Sequence, residues 1–114
     1  YRSVGQPVMV PGSMGTASYV LVGLESGMTK SFGSCCHGAG RRLSRKAALK
    51  TLNSGAVKKN LEERGIAVRA ANPRSLAEEA PQAYKDVDQV VRIACGAGLV
   101  RMVAKLSPVA IIKG

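Results

Sequence analysis

Tryptophan is absent from this sequence, phenylalanine occurs once and tyrosine three times. A core without aromatic bulk has to be assembled from Val, Ile, Leu, Ala and Met. Apolar residues make up 46% of the 114 positions, so material for such a core is present. The length suits one small domain, and chains of this size bury only roughly two-thirds of their unfolded surface. Acidic residues are also scarce, seven against 17 Lys and Arg. Cysteine occurs at 35, 36 and 95 only. An odd count without regular spacing argues against a disulfide framework and fits a reducing, cytoplasmic setting best. Histidine occurs once, at position 37, and a closed zinc site needs about four well-spaced ligands, so a structural metal centre is disfavoured. No apolar run is long enough to span a membrane and no signal peptide is visible. The chain opens at Tyr1 almost directly into a strand-like run, and it reads as part of a longer polypeptide.

The positive charge is concentrated. Between Glu25 and Glu62 there is no acidic residue, while Lys30, Arg41, Arg42, Arg45, Lys46, Lys50, Lys58 and Lys59 all fall in that window. A net charge of +10 suits an anionic partner such as nucleic acid, nucleotide or acidic membrane. A plain solvated basic face gives the same pattern.

Hydrophobic periodicity places the elements. The run from Gln6 to Val10 predicts a strand ended by a Pro11-Gly12 turn, and Ser18 to Val22 predicts a second strand closed by Gly23. Between them lies a connection rich in glycine and hydroxyls. Gly33 to Gly40 is another small-residue loop. A helix is expected from about Arg41 to Leu52, with Leu43, Ala47, Ala48 and Leu52 on one face. A second helix is expected behind a Ser54 cap, carrying Val57 and Leu61 and stopped by Gly65. Ile66 to Ala70 reads as a strand. Ser75 and Glu78 have the spacing of a capping box, broken by Pro81. Tyr84 to Cys95 reads as a helix facing inward through Val87, Val90, Val91 and Ala94. The alternation of Val100, Met102, Ala104 and Leu106 predicts a strand, and Val109 to Ile112 reads as a last buried run that holds Lys113. The mixture is α/β or α+β, without clean βαβ alternation.

His37 sits among small residues in Ser34-Cys35-Cys36-His37-Gly38-Ala39-Gly40-Arg41-Arg42. Small neighbours allow another backbone or a ligand to approach. The expected helix start beyond it would favour a phosphate. In that setting an imidazole serves as a base, a metal ligand or a nucleophile on phosphorus, and an ordinary structural histidine is the competing explanation. The Pro11 to Ser18 connection has the composition of a phosphate cradle. It lacks the Gly-Lys-Ser/Thr ending of a P-loop and is equally an ordinary hairpin connection, one expected to lie beside the His37 loop. Residues alone therefore lead to a basic α/β segment with a phosphate site at His37.

Four segments in order carry a resemblance. They are Val8-Met9-Val10-Pro11-Gly12-Ser13-Met14-Gly15-Thr16-Ala17-Ser18-Tyr19, Ser31-Phe32-Gly33-Ser34-Cys35-Cys36-His37-Gly38-Ala39-Gly40-Arg41, Glu78-Glu79-Ala80-Pro81-Gln82-Ala83-Tyr84-Lys85-Asp86-Val87, and the ending Val109-Ala110-Ile111-Ile112-Lys113-Gly114. Together they resemble the C-terminal part of the RtcB RNA ligases, over essentially the whole chain. The resemblance implies the C-terminal part of the RtcB-type fold, mixed α+β with a Gly-rich nucleotide-binding loop, and residues 1–114 as one segment of a ligase domain whose metal-binding part lies upstream. It implies joining of an RNA 3′-phosphate or 2′,3′-cyclic phosphate to a 5′-hydroxyl, in tRNA splicing and RNA repair, with GTP and manganese. His37 would attack the α-phosphate and carry GMP. Gly38, Ala39 and Gly40 would approach the nucleotide through their backbones. Pro11, Gly12, Ser13, Met14 and Ser18 would line the GTP pocket. Tyr84 would pack near the guanine, Lys113 would contact the base or its surroundings, and Arg41 would meet a phosphate.

The resemblance also implies partners: RNA as tRNA halves or broken strands, GTP, the upstream part of the same polypeptide and a candidate activator protein, with no membrane. One departure is large. The family's manganese ligands are an Asp, a Cys and several His upstream, and none of them is matched here. This chain is therefore expected to hold half of an active site and to be inactive alone. A non-catalytic basic RNA-binding module, or a degenerate paralogue, is the competing reading.

Overall fold

A computed structural model describes Tyr1 and residues 3–114. In chain order the elements are β1 (Pro7–Pro11), β2 (Ser18–Gly23), α1 (Ser26–Ser31), α2 (Arg45–Thr51), α3 (Ser54–Glu63), β3 (Ala67–Ala70), α4 (Pro73–Glu78), a 3₁₀ turn at Pro81–Ala83, α5 (Val87–Gly96), β4 (Val100–Leu106) and β5 (Ala110–Lys113). The class is mixed α/β, as expected, and the strands form two separate sheets. The chain divides into two compact units, neither of them continuous in sequence. One holds Tyr1–Gly12, Ala17–Ala39 and Asp86–Leu106; the other holds Ser13–Thr16, Gly40–Lys85 and Ser107–Gly114.

The first unit is an antiparallel sheet of order β1-β2-β4 with α5 packed on it. Val10, Tyr19, Leu21 and Val100 from the sheet meet Val87, Val91 and Ala94, which recur every three or four residues on α5. Ala39 is buried in the same cluster. Asp86 caps α5 by accepting from the Asp88 amide at 2.9 Å. Asp88 then ties helix to sheet: the Tyr19 hydroxyl donates to it at 2.8 Å and Lys105 Nζ at 2.7 Å. Those hydrogen bonds, from Lys105 first and Tyr19 second, hold the Asp88 carboxyl below its ordinary range.

The second unit pairs β3 and β5 in parallel and packs α3 and α4 around them. Its core joins Met14, Val57, Leu61, Ile66, Val68, Leu76, Ala80 and Ile111. Gly15 is buried where no side chain fits. A Cβ there would lie 2.7 Å from Leu61 Cδ2, 2.9 Å from Arg64 Nη1 and 3.0 Å from Pro81 Cγ. Arg64 Nη2 also donates to the Gly15 carbonyl at 2.6 Å. Gly15→Ala is expected to destabilise the parent polypeptide by about 1–3 kcal/mol, the usual cost of overpacking. A urea midpoint unchanged from that of the unsubstituted protein would show that the pocket around Gly15 can relax.

Several expected boundaries are corrected. The helix assigned to start at Arg41 starts at Arg45, because the Ser44 hydroxyl accepts from the Ala47 amide at 3.1 Å and defines the cap. Upstream of Ser44, Gly40 takes φ +76° and Arg41 pairs with Tyr84 in an isolated bridge, which is incompatible with helix. The helix cap expected at Ser54 is Asn53, whose side chain accepts from Ala56 at 3.0 Å. The capping box expected at Ser75 and Glu78 is replaced by Asn72 ahead of Pro73, with Ser75 Oγ donating back to the Asn72 carbonyl. Tyr84 precedes α5 rather than opening it. Helix α1 was not anticipated. The run Val109 to Ile112 is not buried throughout: only Ile111 is, while Val109 is 79% and Ile112 84% exposed. Parallel pairing with β3, rather than burial of the whole run, holds this segment.

Candidate functional site

In the first unit the candidates converge on one end of the β1–β2 ladder. Pro11 stands opposite Ser18 in the register. The Ala39 amide donates to the Pro11 carbonyl at 2.9 Å, so the Gly-rich loop is tied to that end. A Cβ on Gly38 would lie 3.3 Å from the same carbonyl oxygen, which explains a glycine there. Ala39 is buried and Gly38 half-buried, while His37 is exposed. The loop is thus anchored immediately beyond the histidine and presents the imidazole to solvent. Pro11, where the inter-strand connection begins, is thus the point at which β1 meets the Gly-rich loop. The helix start invoked for a phosphate at this point is absent, since among the described residues no helix opens between His37 and Ser44.

In the second unit the Ser13 amide donates to Thr16 Oγ1 at 2.7 Å, and the two hydroxyls lie 3.0 Å apart. Met14 belongs to the core, which fixes the segment from inside. Gly40 accepts from the Lys85 amide at 2.9 Å, and the Arg42 amide donates to the Ala83 carbonyl at 2.9 Å. These bonds set Arg41 beside Tyr84. The Arg41 guanidinium lies over the Tyr84 ring, 4.9 Å from its centroid. Its Nε donates to the Leu43 carbonyl at 3.0 Å, Nη2 to the Glu78 carbonyl at 2.5 Å, and Nη1 to the Tyr84 hydroxyl at 3.0 Å and to Glu79 at 3.3 Å. These contacts account for four of the five guanidinium N–H groups.

Glu79 is the organising residue of this cluster, and the sequence reading assigned it no role. Its carboxylate accepts from the Tyr84 hydroxyl, from Arg41 and, at 3.3 Å, from Arg45. Its side chain is 18% exposed. Burial raises its pKa, but the Tyr84 hydroxyl and the charges of Arg41, Lys113 and Arg45 together outweigh that, and the net shift is downward. Burial first, and then the bond to Glu79, push the Tyr84 phenol above its ordinary range. Lys113 is therefore within electrostatic reach of Glu79. It is half-buried at the end of β5, paired with Ala70, and its carbonyl accepts from the Ala71 amide at 2.9 Å. A signal for Glu79 was present in the sequence: two of only seven acidic residues fall together at 78 and 79, inside one of the four quoted segments.

Among the described residues, no three His, Cys, Asp or Glu side chains cluster in a way that would hold a metal ion. No helix among them is long and apolar enough to cross a membrane.

Comparison with known proteins is consistent along the whole chain. A profile of the family described as tRNA-splicing ligase RtcB matches residues 1–114. The tRNA-splicing ligase RtcB of Pyrococcus abyssi is 56% identical over all 114 residues, which are 12% of that protein. That of Thermococcus kodakarensis is 56% identical over the same residues, 24% of its length. The RNA-splicing ligase RtcB homolog 1 of Entamoeba histolytica is 50% identical, with 22% of its length covered. The chain thus spans a quarter or less of each of these relatives.

Proposed function

The chain belongs to the tRNA-splicing ligase RtcB family, and from that premise we propose that it supplies the nucleotide-attacking part of a GTP-dependent RNA ligase. The observation that carries this reading is the tie between Ala39 and Pro11, which anchors the Gly-rich loop while leaving His37 exposed. An imidazole nitrogen is a competent nucleophile near neutral pH. Here it attacks the α-phosphorus of GTP; a phosphorus–nitrogen bond forms and pyrophosphate leaves. GMP then passes to an RNA 3′-phosphate as the phosphorus–nitrogen bond breaks and frees His37; a 2′,3′-cyclic end first adds water across one ring P–O bond to give that 3′-phosphate. The 5′-hydroxyl of the second strand displaces GMP as the new phosphodiester forms.

The remaining candidates take supporting parts. Gly38, Ala39 and Gly40 let the nucleotide approach the backbone. Pro11, Gly12, Ser13, Met14 and Ser18 contribute walls and hydroxyls to the GTP pocket. Tyr84 offers its ring to the guanine, and Lys113 adds a fixed cation near the base. Arg41 has one N–H beyond its protein contacts for a phosphate, and its larger part is to hold Tyr84 and Glu79. Arg42, Lys46 and Lys50 are exposed cations suited to RNA phosphates, which makes binding salt-dependent. When bound, manganese would neutralise triphosphate charge. This chain's own residues do not fit it, so its ligands are assigned to the rest of the parent polypeptide, in a reducing cytoplasmic setting.

Incubation with α-labelled GTP and manganese tests the assignment. The parent polypeptide is expected to take up label on His37, and residues 1–114 alone to take up none. Label elsewhere in the parent would refute the nucleophile, and label on His37 in the isolated chain would refute the division of the site.

A further inference from the structure

The ligase reading leaves two features of the first unit unused. Cys35 and Cys36 are both free and half-buried, with Sγ atoms 3.8 Å apart. Both lean on the apolar cluster that includes Val10, Leu21 and Val87, and this shared support keeps the sulfurs on one side of the loop. Burial, and then the neighbouring Cys36 thiol, push Cys35 above the ordinary thiol range, so it keeps its proton near neutral pH. Cys35 also lines a cavity of about 710 Å³ whose apolar wall includes Val8, Leu24, Met28 and Leu99. That size and lining suit a small apolar molecule.

We propose that this cavity and the Cys35–Cys36 dithiol form a binding site for an apolar trivalent arsenical, the arsenic bridging both sulfurs and its hydrocarbon group lying against Leu24, Met28 and Leu99. The chemistry balances without a co-reactant. An arsenoxide condenses with two thiols: two arsenic–sulfur bonds form, the arsenic–oxygen bond breaks, and both thiol protons leave with the oxygen as water. No electrons are transferred. Paired attachment is what gives affinity, because the second sulfur closes at high effective concentration once the first is bound. Cys95 leans on the same cluster, which makes it an internal control. The site does not depend on the ligase reading, although it lies next to His37 in sequence.

The test treats the native parent polypeptide with phenylarsine oxide and maps the adduct by peptide mass. One phenylarsenic bridge on the Cys35–Cys36 peptide is expected, released by a competing dithiol. Cys35→Ser and Cys36→Ser should each weaken uptake by about a hundredfold, the loss of paired attachment, and Cys95→Ala should leave it unchanged. Inorganic arsenite, which has no hydrocarbon group, should bind about tenfold more weakly than phenylarsine oxide. An unmodified Cys35–Cys36 peptide, or a bridge that requires Cys95, would overturn the site. Equal affinity for the two arsenicals would remove the cavity from it and overturn the proposal as stated.

Discussion

His37→Ala in the parent polypeptide is expected to remove the GMP adduct and RNA joining together, by about 10⁴-fold or more, the scale on which loss of a covalent nucleophile acts. The size of the effect follows from the role assigned. No neighbouring residue in the loop offers an equivalent nitrogen, and Cys35 and Cys36 would give a thiophosphate linkage of different geometry. The fold should tolerate the change. His37 is exposed, and the loop is held by Ala39 at Pro11 and by the burial of Ala39, neither of which involves the imidazole. The decisive pair of measurements is therefore adduct formation and the denaturation midpoint. Lost adduct with an unchanged midpoint fits a nucleophile. A fallen midpoint would mean that His37 supports the loop, and a surviving adduct would move the nucleophile elsewhere.

Strands were the most legible part of the fold. Ser18 to Val22 and Val100 to Leu106 were placed within a residue, because runs of β-branched and apolar side chains report pleated burial directly. Helix starts were misplaced wherever a nearby polar residue competed for the cap. The periodicity of Leu43, Ala47 and Ala48 extended the expected helix back to Arg41, but Arg41 is committed to Tyr84, 43 residues away. A contact of that separation leaves no trace in local periodicity. Helix α1, Ser-Gly-Met-Thr-Lys-Ser, was missed because six residues with one glycine carry too little pattern. The two-unit division was equally hidden, since both units are assembled from separated segments without a linker between them. The candidate site divides in the same way. His37 and its glycines stood out by composition, whereas Glu79 gains its importance only when Arg41, Tyr84, Arg45 and Lys113 are brought around it.

That cluster supports the second large expectation: Glu79→Ala should cost about 1–3 kcal/mol of stability at neutral pH, the price of leaving part-buried donors unsatisfied. The substitution removes the acceptor of the Tyr84 hydroxyl and leaves the charges of Arg41, Arg45 and Lys113 uncompensated. The dependence on pH fixes the cause. In the folded state the Glu79 carboxyl sits below its unfolded value of 4.5, so the folded state favours the ionised form. Its contribution is fully present above that value and is lost as pH falls through the lower folded pKa. The gap between the two proteins should therefore be widest at neutral pH and narrow under acid. Glu79→Gln keeps an acceptor without the charge and should fall between them. If Tyr84 serves the guanine, its release should also weaken GTP binding by about tenfold, since a stacking ring pre-organised by its neighbours costs less to immobilise. Urea titrations of the three proteins across this pH range separate the alternatives: a gap that stays constant with pH would indicate lost packing instead of a lost carboxylate, and no gap at all would remove Glu79 from the organising role.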